Sequence, residues 1–182
     1  MRKATFRDVI QRFRAEYPFV RLVLHEMATQ QQVEALADGR LQVGFLRTSG
    51  ARPFSADALA LKDFGHEELV LVLRRDHGLA QSRPDDRIAP ACLAGEALVV
   101  FPREIGGSTY DQIVTVCRAA GFEPKIAQEA REVVTLIGLV SAGLGLALMA
   151  TTFASILPDG LTTRRLKAPA PTAATWLVPF RS

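Results

Sequence analysis

Residues 69–73 read Leu-Val-Leu-Val-Leu, five apolar side chains in a row. A strand with one wet face alternates apolar and polar residues, so an unbroken run belongs to a strand covered on both faces. Such strands need helices around them, and the chain supplies segments of helical period. Phe6, Val9, Ile10 and Phe13 fall on one face of a helix predicted over Thr5–Glu16, and Ile113, Val116, Cys117 and Ala120 repeat the spacing. Glu132–Ala142 is a nearly all-apolar helix. Strand-like runs at Val43–Arg47, Ala97–Phe101, Lys125–Ala130, Gly145–Met149 and Ala173–Val178 alternate with these helices, and no repeat of 20–50 residues appears. The expectation is an α/β chain of two small lobes, since 182 residues is long for one domain.

Local signals set the boundaries. Tyr17-Pro18 ends the first helix, because the residue before a proline disfavours helical dihedrals. Val20–Glu26 is rich in Val and Leu and is expected as a strand. Thr29-Gln-Gln-Gln32 reads as a Thr-x-x-Gln capping box, and Asp38-Gly39 closes the helix that follows. Strand, helix and strand over 20–47 imply a parallel βαβ unit. Residues 48–53 are expected as loop and Leu59–Phe64 as a strand separate from 69–73. His77 to Asp86 is a surface excursion, Pro102–Gly107 a flexible loop, and Ser108 the cap of the next helix, which Gly121 ends. Gly143-Leu-Gly145 is a tight helix-to-strand turn, Thr151–Ile156 helical and Leu161–Lys167 extended.

Several function classes are excluded or disfavoured. With 48% hydrophobic and 23% charged residues the chain is not mainly disordered, and about 70% of its unfolded surface is buried on folding. A net charge of +3 and a pI near 9.2, without a basic stripe, do not suit a domain that neutralises many phosphates. Cys92 and Cys117 are far apart in sequence and read as buried structural thiols of a reducing compartment. His25, His66 and His77 share no metal-ligand spacing, so no metal and no cofactor are expected. The chain has no Gly-x-Ser-x-Gly elbow and no phosphate-binding glycine loop, and it is not expected to be an enzyme. The charged start has no signal-peptide core. The apolar stretch Val133–Ala150 is broken by Gly138, Gly143 and Gly145, so no membrane span and a cytoplasmic location are expected.

What remains are two helix N-termini, at Thr29 and at Ser108-Thr109, each following a strand. Such a terminus carries unpaired N–H groups and a partial positive charge that attract carboxylates. A Ser or Thr cap is also common as structure alone, worth about 1 kcal/mol.

Phe6–Pro18, Leu22–Arg47 (LVLHEMATQQQVEALADGRLQVGFLR), Leu69–Ala80, Ala119–Pro124 (AAGFEP) and Glu129–Met149 resemble, in order, segments of the effector-binding domain of LysR-type transcriptional regulators. The resemblance runs over nearly the whole chain. It implies a periplasmic-binding-protein-like (type 2) fold: two Rossmann-like lobes joined by two crossover strands, with the effector in the cleft between. Lobe I would be about 1–65 plus 163–182, and lobe II about 66–162. By the same resemblance, Thr29 touches the effector's carboxylate. Phe101, Pro102, Gly107, Ser108 and Thr109 form the opposite wall, and Arg47 tunes the charge.

The implied function is sensing of a small organic acid, aromatic by the look of Met27–Gln32 and Gln128–Val134: benzoate-, muconate- or salicylate-like. Implied partners are a second copy, with the Phe6 helix and Val20 strand meeting the Ser108 helix and Lys125 strand, in a tetrameric full-length regulator. DNA would be met only through an N-terminal winged helix-turn-helix that this chain lacks. The family's first strand, which contributes a hydroxyl to the anion site, and its last helix also have no counterpart. The alternatives are a transporter's solute-binding protein and an enzyme on the same scaffold.

Overall fold

The computed structural model describes residues 5–48, 60–81, 87–168 and 170–179, except the side chains of 106–108. The loop expected at 49–53 and the polar stretch at 82–86 lie outside the described residues. In chain order the elements are α1 (Phe6–Glu16), α2 (Thr29–Ala37), β1 (Val43–Thr48), β2 (Lys62–Arg74), β3 (Ala97–Val100), α3 (Arg103–Ala119), β4 (Lys125–Glu129), α4 (Val133–Ser141), β5 (Ala147–Ala150), β6 (Leu161–Arg165) and β7 (Thr172–Pro179). Short 3-10 turns lie at Gly78–Ala80, Pro90–Leu93 and Thr151–Ile156. The chain divides into two compact units: Met1–Leu46, Phe54–Gly65 and Thr175–Ser182 form the first, Arg47–Pro53 and His66–Ala174 the second. Residues 163–174, which the resemblance allots to lobe I, fall in the second unit, where β6 pairs antiparallel with β2.

In the first unit, Thr5 and Asp8 form a reciprocal cap on α1: the Asp8 N–H donates to Thr5 Oγ1 at 3.2 Å, and the Thr5 N–H to Asp8 Oδ2 at 2.9 Å. The apolar face of α1 puts Phe6 edge-on to Phe45 at 4.9 Å, and Phe45 meets Phe64 at 5.2 Å. Leu36 of α2, Leu46 of β1 and Val178 of β7 make a small fully buried core, with Val33, Leu41, Leu61 and Trp176 around it. Strand order here is β1-β7-β2.

The strand expected at Val20–Glu26 is absent: residues 21–28 carry no ladder, and Val20, Val23 and Leu24 are more than half exposed. A strand requires a neighbour to accept its hydrogen bonds, and no described strand lies beside this one. The parallel βαβ unit predicted over 20–47 therefore does not form.

The second unit holds most of the core. Residues 69–73 are buried throughout, as the unbroken apolar run requires, and β2 pairs antiparallel with β5 on one side and β6 on the other. Leu71 and Leu73 pack into one cluster with Leu98, Ile113, Cys117, Leu146 and Leu148; Val72 points the other way, to Val99, Leu136, Val140 and Met149. The parallel βαβ unit is β3-α3-β4, with Ala97 opposite Lys125 and Val100 opposite Glu129. Gln112 on α3 clasps the start of β7: its Nε2 donates to Thr172 O at 2.7 Å, and its Oε1 accepts the Thr172 N–H at 2.8 Å.

Two boundaries differ from expectation. Two strands were expected, at Leu59–Phe64 and Leu69–Leu73. Leu59 lies outside the described residues, and 62–64 and 69–73 belong to one 13-residue strand, β2, because the intervening Gly65 and His66 take extended backbone without a turn. The predicted loop Pro102–Gly107 is helical from residue 103 onward: α3 starts at Arg103 with Pro102 as its N-cap, so Ser108 lies inside the helix and not at its start. Two adjacent glycines cost about 2 kcal/mol in a helix. Burial of Ile113, Val116 and Cys117 further along the same face outweighs it.

The thiols also differ from each other. Cys117 is fully buried, as predicted, but Cys92 is exposed, because the 3-10 turn at Pro90–Leu93 buries only Leu93. Burial, helped by the charge of Glu123, pushes the Cys117 thiol from 9.0 up to about 11. A thiol reagent at pH 8 is expected to modify Cys92 in the folded chain and to spare Cys117 until unfolding. A raised acid pKa gives stability that is full below pH 9 and lost as pH climbs towards 11. The gap in denaturation midpoint between the chain and Cys117→Ala is expected to narrow over that window; a constant gap would argue against burial as the cause.

Candidate functional site

Thr29 is not the N-cap of α2 but its first helical residue, and is half-buried. Ala28 occupies the cap position and its N–H donates to Gln31 Oε1 at 3.1 Å. The Thr-x-x-Gln box thus lies one residue earlier than the spacing suggests, with an alanine in place of the hydroxyl. The reason is Gln32, the expected partner, which turns inward: its Nε2 donates to Met27 O at 2.9 Å and its Oε1 accepts the Phe45 N–H at 3.0 Å. Helix α2 still points its first turn, with Thr29 in it, at the partial positive end of the helix.

In the second unit, Phe101 is half-buried against the cluster built around Val99 and Val140. Pro102 is buried and turns the chain from β3 into α3. Gly107, Ser108 and Thr109 follow within α3, about one and a half turns in, with Thr109 half-buried. The α3 terminus that could attract an anion is therefore at Arg103, where no side chain caps it, and not at Ser108. Arg103 itself pairs with Asp111 at 2.8 Å on the surface.

Arg47, at the end of β1, lies 5.9 Å above the Phe153 ring and 3.9 Å from Glu67 Oε1. Glu67 is committed elsewhere as well: its Oε2 accepts the Thr152 hydroxyl at 2.8 Å and the Thr152 N–H at 3.1 Å. Phe153, like Phe101, packs against the cluster built around Val99 and Val140. An ion pair this long and this exposed contributes about 1 kcal/mol or less.

Glu67, Thr152 and Phe153 had no signal in the sequence, since their contacts, Glu67 with Thr152 and Arg47 with Glu67 and Phe153, join segments far apart along the chain. A separate hollow of about 630 Å³ in the second unit is lined by Arg74, Asp76, His77, Glu96, Gly143 and Gly145 and by none of the predicted residues. There Arg74 pairs with Asp76, and His77 Nε2 lies 3.4 Å from Glu96 Oε2.

Among the described residues no three His, Cys, Asp or Glu side chains converge as metal ligands. No described helix is long and apolar enough to cross a membrane. The described residues thus form an α/β chain in two compact units. Residues 3–179 match the LysR substrate binding domain, and the chain belongs to that family.

Among its relatives, the uncharacterised HTH-type transcriptional regulator YnfL of Escherichia coli K12 is 37% identical over 146 residues, 80% of this chain and 47% of that protein. CatR of Pseudomonas putida, another HTH-type regulator, is 37% identical over 128 residues, 70% of this chain and 42% of that protein. The chain thus spans less than half the length of these relatives. The solved BenM effector-binding domain with its effector benzoate superposes with a TM-score of 0.81 at 28% identity, covering 97% of this chain and 78% of that one.

Proposed function

We propose that this chain is the effector-sensing part of a cytoplasmic LysR-type transcriptional regulator, and that its effector is a small carboxylate, aromatic in the first instance. The observation that carries the reading is the family match over residues 3–179, joined by the likeness to a benzoate-bound effector domain. On this reading Thr29 at the start of α2 receives the carboxylate. Arg47, Phe101, Pro102, Gly107, Ser108 and Thr109 are the other residues proposed to take part. The role is binding, not catalysis, and neither cofactor nor metal takes part. The match to regulators disfavours a transporter's solute-binding protein.

Operator binding falls to a DNA-binding segment outside these 182 residues, consistent with relatives about twice as long. A second copy covers the apolar residues left open around α1 and residues 19–24, as a homodimer within a tetramer. An effector that favours one arrangement of the regulator shifts its population by its differential affinity and no more.

Calorimetric titration with benzoate, cis,cis-muconate and salicylate tests the reading. At least one is expected to bind with micromolar affinity, and Thr29→Ala to weaken it at least tenfold, about 1.4 kcal/mol. Indifference to all three acids, or equal affinity in Thr29→Ala, would count against it.

A further inference from the structure

We infer that Gln31 and Gln32 act together as positioning residues, clamping the Met27–Ala28 peptide group from both sides and so fixing where Thr29 is presented. The carbonyl of that peptide accepts from Gln32 Nε2 at 2.9 Å, and its N–H donates to Gln31 Oε1 at 3.1 Å. The other end of the Gln32 amide accepts the Phe45 N–H at 3.0 Å, which ties the start of α2 to β1. Room for this amide comes from Gly44: a Cβ there would stand 3.2 Å from Gln32 Oε1 and 2.9 Å from Leu36 Cδ1. Gln32 is half-buried, so its bonds are partly shielded from competing water. The segment it holds has no ladder of its own, since residues 21–28 are not in a strand. A peptide group without a sheet to fix it is thus fixed by two successive side chains, one residue before Thr29.

The chemistry at position 32 is specific. Met27 O needs a donor and Phe45 N–H needs an acceptor, and a glutamine amide supplies both. An ionised glutamate keeps the acceptor but turns an oxygen lone pair towards Met27 O. A protonated glutamate has an O–H and restores the donor. The inference rests on the reading of Thr29 as an effector contact, and the experiment separates the two.

The test follows Gln32→Glu between pH 8 and pH 5, a range in which ordinary carboxylates such as benzoate stay largely ionised. Two readouts are taken: the backbone amide resonances of residues 28, 29 and 45, without ligand, and the affinity for benzoate. At pH 8 those resonances are expected to shift or broaden and benzoate to bind about tenfold more weakly. Half-buried and facing Met27 O, the carboxyl introduced at position 32 favours its protonated form over that of a free carboxylate. At pH 5 both readouts are therefore expected to move back part of the way towards the unaltered chain, which itself changes little. Gln32→Met, lacking donor and acceptor at either pH, is expected to stay weak throughout.

Resonances unmoved by Gln32→Glu at pH 8 overturn the clamp. Resonances that move and recover while benzoate affinity stays constant overturn its positioning role. If the unaltered chain binds neither benzoate nor cis,cis-muconate nor salicylate, the reading of Thr29 falls and the role at the site falls with it. The ligand-free resonances then still decide whether the clamp exists.

Discussion

Leu71→Ala is expected to destabilise the second unit by about 4 kcal/mol, read as a fall in melting temperature of roughly 8–16 °C. Leu71 has no exposed surface and lies in the middle of β2, opposite Leu148 of β5 and Arg164 of β6. With strands on both sides the backbone cannot move inward, so the space vacated by three heavy atoms stays largely open. That places the cost towards the upper part of the 2–5 kcal/mol range for such truncations. Val134→Ala is the matched control: Val134 is 78% exposed on α4, and its truncation is expected to change stability by less than about 0.5 kcal/mol. Thermal unfolding of the two variants beside the parent chain measures both, and equal effects would sink the account of β2 as the central buried strand.

Gly145→Ala is expected to cost about 3 kcal/mol, although it adds a single methyl group. Gly145 has φ 157°, and a Cβ built on it would lie 2.6 Å from the carbonyl oxygen of Ala97. That contact is with main chain, which cannot swing aside as a side chain would. The Ala97 carbonyl also accepts the Leu146 N–H at 2.8 Å, and the Val99 N–H donates back to Leu146 O at 2.8 Å. Relieving the clash would part β3 from the chain entering β5. Urea denaturation is expected to show a lower midpoint with unchanged slope. Gly138→Ala, where a Cβ meets nothing within 4 Å in the exposed part of α4, is expected to be neutral or slightly stabilising. Comparable losses at the two glycines would contradict the steric argument.

The turn at Gly143-Leu-Gly145 shows what pattern alone conveys. Glycine spacing after an apolar helix marks a reversal, and Gly143 with φ 81° makes it. Nothing in the spacing says that Gly145 also sits against Ala97, 48 positions away.

The candidate site divides in the same way. Thr29 at the start of a helix and Arg47 at the end of a strand were legible, because helical period and apolar runs act on near neighbours. The exact caps were not. Ala28 takes the position assigned to Thr29, since Gln32 is drawn inward by Met27 and Phe45. Pro102 takes the position assigned to Ser108, because packing of Ile113, Val116 and Cys117 carries the helix back through two glycines.

By itself the sequence determined the order and kind of most elements, the burial of 69–73 and the family. These follow from periodicity and from residues close along the chain. Only tertiary structure decided that Val20–Glu26 is no strand, that 62–74 is a single one, that Cys92 is open while Cys117 is closed, and that Glu67 faces Arg47. Each depends on which distant segment supplies a hydrogen-bond partner or covers a side chain, and contacts between distant segments have no fixed spacing in sequence.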